Sequence, residues 1–261
     1  MDQGVVGGLP IKMNDRPEEN IDRLHAHEEQ LRVESLAVIA KREDLSDHWK
    51  VAQEAMNVIY AFSHEHKHGS DDELTLQFMG IRLFNAAAAS IKLALSGYYQ
   101  KAFVHLRDIL ESYFLVDYLR SNPAQIAVWK NADNRTLMRD FSPARIRDAL
   151  DKRDGYTTGQ RKKFYELVSQ YASHATYRGF QLTTRDGLGQ IGPFVDEAKL
   201  RAWLEEMAKR FGHAAVCLLS DFEGEDLPLD LTRKHYLDVV NAWGRKYYGP
   251  TFPRAAVETA S

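Results

Sequence analysis

Apolar residues along this chain recur mostly at spacings of three and four, the period of a helix with one buried face. Residues 1–14 carry little pattern and three glycines, and are expected to form a disordered tail. "RPEENIDRLHAHEEQLRVESLAVIAKRE" follows Asp15 with acids in its first turn, as a helix start should. "LSDHWKVAQEAMNVIYAFSHEHKH" predicts a second helix with Ser46 as its cap, ending at Gly69-Ser70. A third helix is expected at about 72–96, capped by Asp71 or Asp72. It contains the run Ala86–Ala89, whose small side chains let a neighbour approach closely. Gly97 marks the turn into a fourth helix, about 98–120, that stops before Asn122-Pro123.

A short helical region around Trp129 comes next. "SPARIRDALDKRDG" then places Ser142 at the cap, proline at the first helical position and Gly155 at the stop. "TGQRKKFYELVSQYASH" predicts another helix. In "YRGFQLTTRDGLGQIGPF" the period changes to glycine, threonine and aromatics, which reads as a small β-hairpin or ordered loop near 177–194. Two helices close the chain, at about 195–222 and 230–247. The expected fold class is therefore all-α: a multi-helix bundle with a small hairpin. Residues 15–70 read as an N-terminal helical arm or hairpin, 71–249 as the bundle and 250–261 as a flexible tail.

A hydrophobic share of 44% and a charged share of 27% place the chain among globular proteins. Its single cysteine, Cys217, excludes an internal disulfide and a cysteine zinc cluster, and reads as a buried structural thiol. No basic segment followed by an apolar run opens the chain. The most apolar stretch, "FNAAAASIKLALSGYY", is interrupted by Lys92 and reads as too short to span a bilayer. A cytoplasmic location without membrane insertion is expected.

The net charge of −3 hides an asymmetry. Residues 1–75 hold 16 acids against 8 bases, whereas residues 129–163 hold 10 bases against 5 aspartates. A local positive field attracts phosphates even on an acidic chain. Arg145, Arg147, Lys152, Arg153, Arg161, Lys162 and Lys163 are the candidate nucleic-acid contacts; the bland alternative is that they solvate exposed helices.

Within the fourth helix, "HLRDILES" sets Arg107 and Glu111 one turn apart beside the apolar Phe103, Leu110 and Phe114. Asp108, Ser112 and His105 project the opposite way. Such a pair is either a structural lock or one wall of a site that a charged ligand completes. His174 continues the stripe Phe164, Leu167, Val168 and Tyr171 near a helix end. Arg107, Glu111 and His174 are therefore the candidates for acid–base work on a phosphodiester or for anion binding, provided that they meet.

Other motifs say less. His64 and His68 in "SHEHKH" have the i, i+4 spacing that can hold zinc or nickel, but no third ligand is evident. No metal or cofactor is expected. "GLGQIG" formally matches a dinucleotide fingerprint, yet lacks a preceding strand and a following helix, so its glycines read as turn residues.

The order "LRDILE", "NPAQIAVW", "YASHATY" and "GPF", over roughly residues 75–222, resembles a group of uncharacterised bacterial all-helical proteins that are similar in turn to HEPN domains (higher eukaryotes and prokaryotes nucleotide-binding). The resemblance implies a helical bundle, often dimeric, in RNA binding or RNA cleavage within toxin–antitoxin and phage-defence systems. Its ribonuclease members carry arginine, four to six residues, then histidine. Here Arg107 is followed by Ser112, Tyr113 and Phe114 at those positions, so an inactive, RNA-binding form is expected at least as much as a nuclease. Arg42 and His48 match the spacing but straddle a helix break. The alternative is a non-catalytic interaction or oligomerisation protein, with Leu31, Leu36 and Ile39 packing against a twin.

Overall fold

The centre of the molecule is a helix wrapped on three sides. In the computed structural model, which describes residues 16–173, 176–219 and 226–249, α4 (Tyr99–Ser121) packs along α3 (Asp71–Leu95) and α9 (Glu197–Leu219). On its third side it meets α7 (Pro143–Arg153) and α8 (Gln160–Val168). Buried side chains consequently occur nearly all round it: Ala102, Leu106, Ile109, Leu110, Val116 and Leu119 are enclosed, as expected of a core helix rather than a surface one. Ser112, expected to point outward, is 5% exposed, because α3 covers the face that a lone amphipathic helix would leave to water.

α1 (Pro17–Lys41) and α2 (Glu43–Tyr60) open the described chain. Leu45, Val51, Ala55 and Val58 of α2 are fully buried, and α2 packs on α9 and on the last helix, α10 (Leu227–Tyr248). The core therefore runs through residues on both sides of residue 70. Leu31 and Ile39, considered as twin-facing, are buried within this chain. α5 (Ala124–Lys130) and α6 (Asn134–Asp140) bridge α4 to α7. The expected all-α bundle is thus the fold, and its small hairpin is present: β1 (Thr184–Arg185) and β2 (Leu188–Gly189) pair antiparallel. Positive φ at Asp186 and Gly187 gives this two-residue turn the twist that hairpins favour. A 3₁₀ turn, Tyr177–Thr183, precedes it.

Buried polar groups tie the helices together. The Trp203 indole donates to Ser90 Oγ at 2.9 Å, and Ser90 Oγ donates to the Ala102 carbonyl at 2.9 Å, so one hydroxyl links α9, α3 and α4. Tyr236 Oη donates to the Gly212 carbonyl at 2.6 Å, joining α10 to α9.

Several local expectations are corrected. Ser46 lies inside α2, where its hydroxyl donates to the Ile39 carbonyl at 2.9 Å, because the helix begins at Glu43. Ser70, not Asp71 or Asp72, caps α3 by accepting from the Glu73 amide at 3.1 Å. Cys217 is half-buried. By length and composition α3 as a whole, Asp71–Leu95, is long and apolar enough to cross a membrane. It nonetheless packs along α4 and supplies Leu76, Leu83 and Ala87 to the core.

Candidate functional site

α4 carries Arg107 and Glu111 toward α8, and α8 places Tyr165 between them. Arg107 Nε donates to Glu111 Oε1 at 3.1 Å, Tyr165 Oη donates to the same oxygen at 2.7 Å, and Arg107 Nη2 donates to Tyr165 Oη. One phenol thus closes the pair into a ring of three hydrogen bonds. The two charged side chains are 28% and 30% exposed, so the group sits at the wall of the bundle and not in its interior.

α7 supplies the fourth member. Ile146, Arg147, Leu150 and Asp151 form its inner face, and Arg147 lies with its guanidinium 4.0 Å from the Tyr165 ring centroid. The Arg107 guanidinium is 4.9 Å from the same centroid. Arg147 is only 8% exposed, its Nη1 is enclosed without a hydrogen-bond acceptor, and among the described residues no carboxylate pairs with it. Two guanidiniums and one carboxylate therefore share the phenol, leaving the group one positive charge in excess. Arginine stays charged in proteins. A cation enclosed in this way favours any anion that reaches it.

Of the three candidate site residues, Arg107 and Glu111 are together, whereas His174 lies outside the described residues. The stripe that led to it is also turned: Leu167 is 47% exposed, and Tyr165 and Val168 face inward toward α4. Tyr165 and the inward placement of Arg147 were not foreseen. Within "RKKFYELV" a tyrosine beside a phenylalanine gives no sign of which ring faces the core.

The basic segment is largely paired, both within itself and with neighbouring carboxylates. Arg153 Nη1 binds Asp117 at 2.6 Å, and its Nε binds Asp154 at 2.7 Å. Hydrogen bonds from Arg153, outweighing partial burial and helped by Arg161, hold the Asp154 carboxyl below the usual carboxylate range. Arg161 also binds Asp151 at 2.8 Å, and Lys162 lies 3.9 Å from Glu166. These contacts fasten α7 to α4 and α8. Arg145, Lys152 and Lys163 are exposed and have no ion pair among the described residues.

The histidine tract forms no metal group among the described residues. After α2 the chain widens into a π-helical turn, Ala61–Glu65, and is extended at His66, so exposed His64 and His68 do not share a helix face. His66 is the engaged member, with Nδ1 2.7 Å from Asp226 Oδ2 and Nε2 3.1 Å from Glu73 Oε1. The Arg42–His48 spacing likewise brings no site together: His48 is buried and its Nδ1 accepts from the Trp243 indole at 2.7 Å, while Arg42 pairs with Glu197 at 2.5 Å.

No model of a protein family matches the chain, and neither does any curated protein or solved structure.

Proposed function

We propose that this protein is a HEPN-like, cytoplasmic RNA- or nucleotide-binding protein of bacterial defence or stress response. In this proposal the Arg107–Glu111–Tyr165–Arg147 group receives a phosphate, and the protein binds without cleaving. The observation that carries the reading is the enclosed, unpaired guanidinium of Arg147 against Tyr165. Burying an ion without a partner costs several kcal/mol, and a ligand phosphate would supply that partner through charge-assisted hydrogen bonds. Exposed Arg145, Lys152 and Lys163 lie on the same two helices and would add nonspecific attraction. The paired Arg153 and Arg161 would hold the scaffold in place of contacting ligand.

The test is incubation of the purified protein with a mixed RNA pool at rising salt. Intact RNA that is retained, and released as salt rises, supports the reading. Cleaved RNA overturns the binding-only role, and no association overturns the reading altogether.

A second reading, an interaction protein in which Arg107 and Glu111 are a lock, draws on a different observation. Phe78 and Ile81 of α3 are 61% and 41% exposed, which leaves an apolar strip suited to a second copy of the chain. Loss of self-association in a Phe78→Glu variant that still binds RNA would assign the two roles to different faces.

A further inference from the structure

Beside the cationic group lies a cavity of about 270 Å³ between α3, α4, α5 and α7. Met79, Phe114, Trp129, Phe141 and Ile146 make its apolar walls, and Glu111, Ser112 and Arg82 make its polar edge. Its volume is just below the usual range for small-molecule pockets, which suits one flat ring system better than an extended ligand. Half-exposed Trp129 offers an aromatic face at the wall, the surface on which bases stack.

The polar edge has a definite sense. Glu111 Oε1 already accepts from Arg107 and Tyr165, but Oε2 accepts from no described residue. A carboxylate has about four acceptor positions, so Glu111 retains capacity for N–H donors from a ligand. Arg82 donates through Nε to Ser112 Oγ at 3.1 Å and through Nη2 to Asp108, and Nη1 has no partner among the described residues. Acceptor and donor therefore border the same apolar slot.

We propose that this cavity takes a nucleobase, with guanine preferred. Guanine presents adjacent N1–H and N2–H donors, which a carboxylate accepts, and the O6 and N7 acceptors that arginine reads. Uracil offers one N–H donor and adenine no O6. This proposal rests on the reading of the neighbouring group as a phosphate site, since Glu111 belongs to both.

The experiment is calorimetric titration of the whole chain with guanosine, the four nucleoside monophosphates, and short G-rich and U-rich RNA strands. The guanine monophosphate should bind about tenfold more tightly than the uracil one, the discrimination expected of a paired base edge. Guanosine, which has no phosphate, should bind to wild type and to Arg147→Met alike. Trp129→Ala, shown to be folded by its thermal melt, should weaken the guanine ligands about tenfold, and Trp129→Phe, which keeps an aromatic face on the core, should retain most of the affinity. Glu111→Gln should abolish the preference among bases.

Equal binding of all four monophosphates, or full affinity in Trp129→Ala, overturns the base site. Salt-dependent RNA binding that needs Arg147, with no guanosine binding, overturns the base site and leaves the phosphate reading standing. Guanosine binding with RNA retention unaffected by Arg147→Met does the reverse. A G-rich strand that outcompetes the monophosphate identifies RNA as the source of the base; equal competition identifies free nucleotide. Either of these supports the base site.

Discussion

Arg147→Met removes a charge and keeps a side chain of similar length, so it separates stability from ligand binding. In the unliganded protein this guanidinium is 8% exposed and its Nη1 is enclosed without an acceptor. Replacing buried ionic groups by apolar ones of similar volume often stabilises proteins by about 1–4 kcal/mol. Part of that gain is offset here, because the cation contacts the Tyr165 face at 4.0 Å, an interaction worth about 1–2 kcal/mol. At the midpoints of these ranges a net gain of about 1 kcal/mol remains, and at roughly 2–4 °C per kcal/mol for a chain of this size the Tm should rise by about 2–4 °C. Inorganic phosphate should do the opposite sorting. A ligand at 100 times its Kd stabilises by about 2.7 kcal/mol, so wild type should melt higher in phosphate than in chloride at equal ionic strength. The Met variant should show only the smaller, general stabilisation that phosphate gives by exclusion from protein surfaces. Paired thermal melts of both proteins in both salts give all four values. A Met variant that melts several degrees below wild type, with phosphate raising both equally, would falsify the idea that Arg147 awaits an anion.

Arg107→Ala should stay folded and lose only about 1 kcal/mol, because its pair with Glu111 is half-exposed and screened, while RNA retention drops; an unfolded variant would identify the pair as a lock. Burial, opposed by the Glu205 and Asp44 carboxylates, lowers the pKa of His48 below its ordinary 6.5. The unfolded chain therefore takes up this proton first, and stability is full above pH 6.5 and falls as pH drops below it. His213, lowered mainly by burial, adds to the same slope. His48→Gln, which keeps an acceptor for Trp243 but cannot ionise, should flatten part of the dependence of Tm between pH 7.5 and 5.5; an unchanged slope rejects the assignment. Gly97 has φ +87°, and an added Cβ would lie 2.5 Å from the Phe194 carbonyl oxygen. Gly97→Ala should thus lose about 2 kcal/mol or more through strain and displacement of the segment before α9, and a denaturation midpoint equal to wild type would contradict this.

Helix positions were legible because local patterning determines them. Pro143 at a helix start, Gly97 at a turn and the Asp186-Gly187 hairpin each act through their own backbone. Placement around α4 was not legible, because an i, i+4 stripe marks one buried face and α4 is buried on several. Ser112 looks like an outward polar residue in the sequence, yet it is buried against Arg82, 30 positions away, and Asp117, a carboxylate on the apolar stripe, is buried against Arg153, 36 positions away. The π-helical turns defeat periodicity in another way. Each inserts extra backbone into a turn, so described residues beyond Ala61 leave the faces that a 3.6-residue period assigns to them, and a second such turn begins at Ser169. That is why the His64–His68 pair dissolves.

The same comparison gives the candidate site its meaning. Charges that the fold buries near α4 are matched from another helix, Asp117 by Arg153 and Asp151 by Arg161, while Glu111 at the wall takes Arg107 from its own helix and Tyr165 from α8. The pairings between helices stabilise one register of α7 and α8 on α4, because each of them would be broken by a one-turn slip. Arg147 gains from the same register only a ring contact, although Asp151 lies one turn away on its own helix and is committed to Arg161. A purely structural solution would give that carboxylate to Arg147 or replace the arginine by an apolar residue. Instead the register holds one enclosed guanidinium beside Tyr165 and Arg107, preorganised at a wall where Glu111 also borders the cavity. Binding energy from an incoming anion then does not have to order these side chains first, which is the usual advantage of a site built on rigid helices.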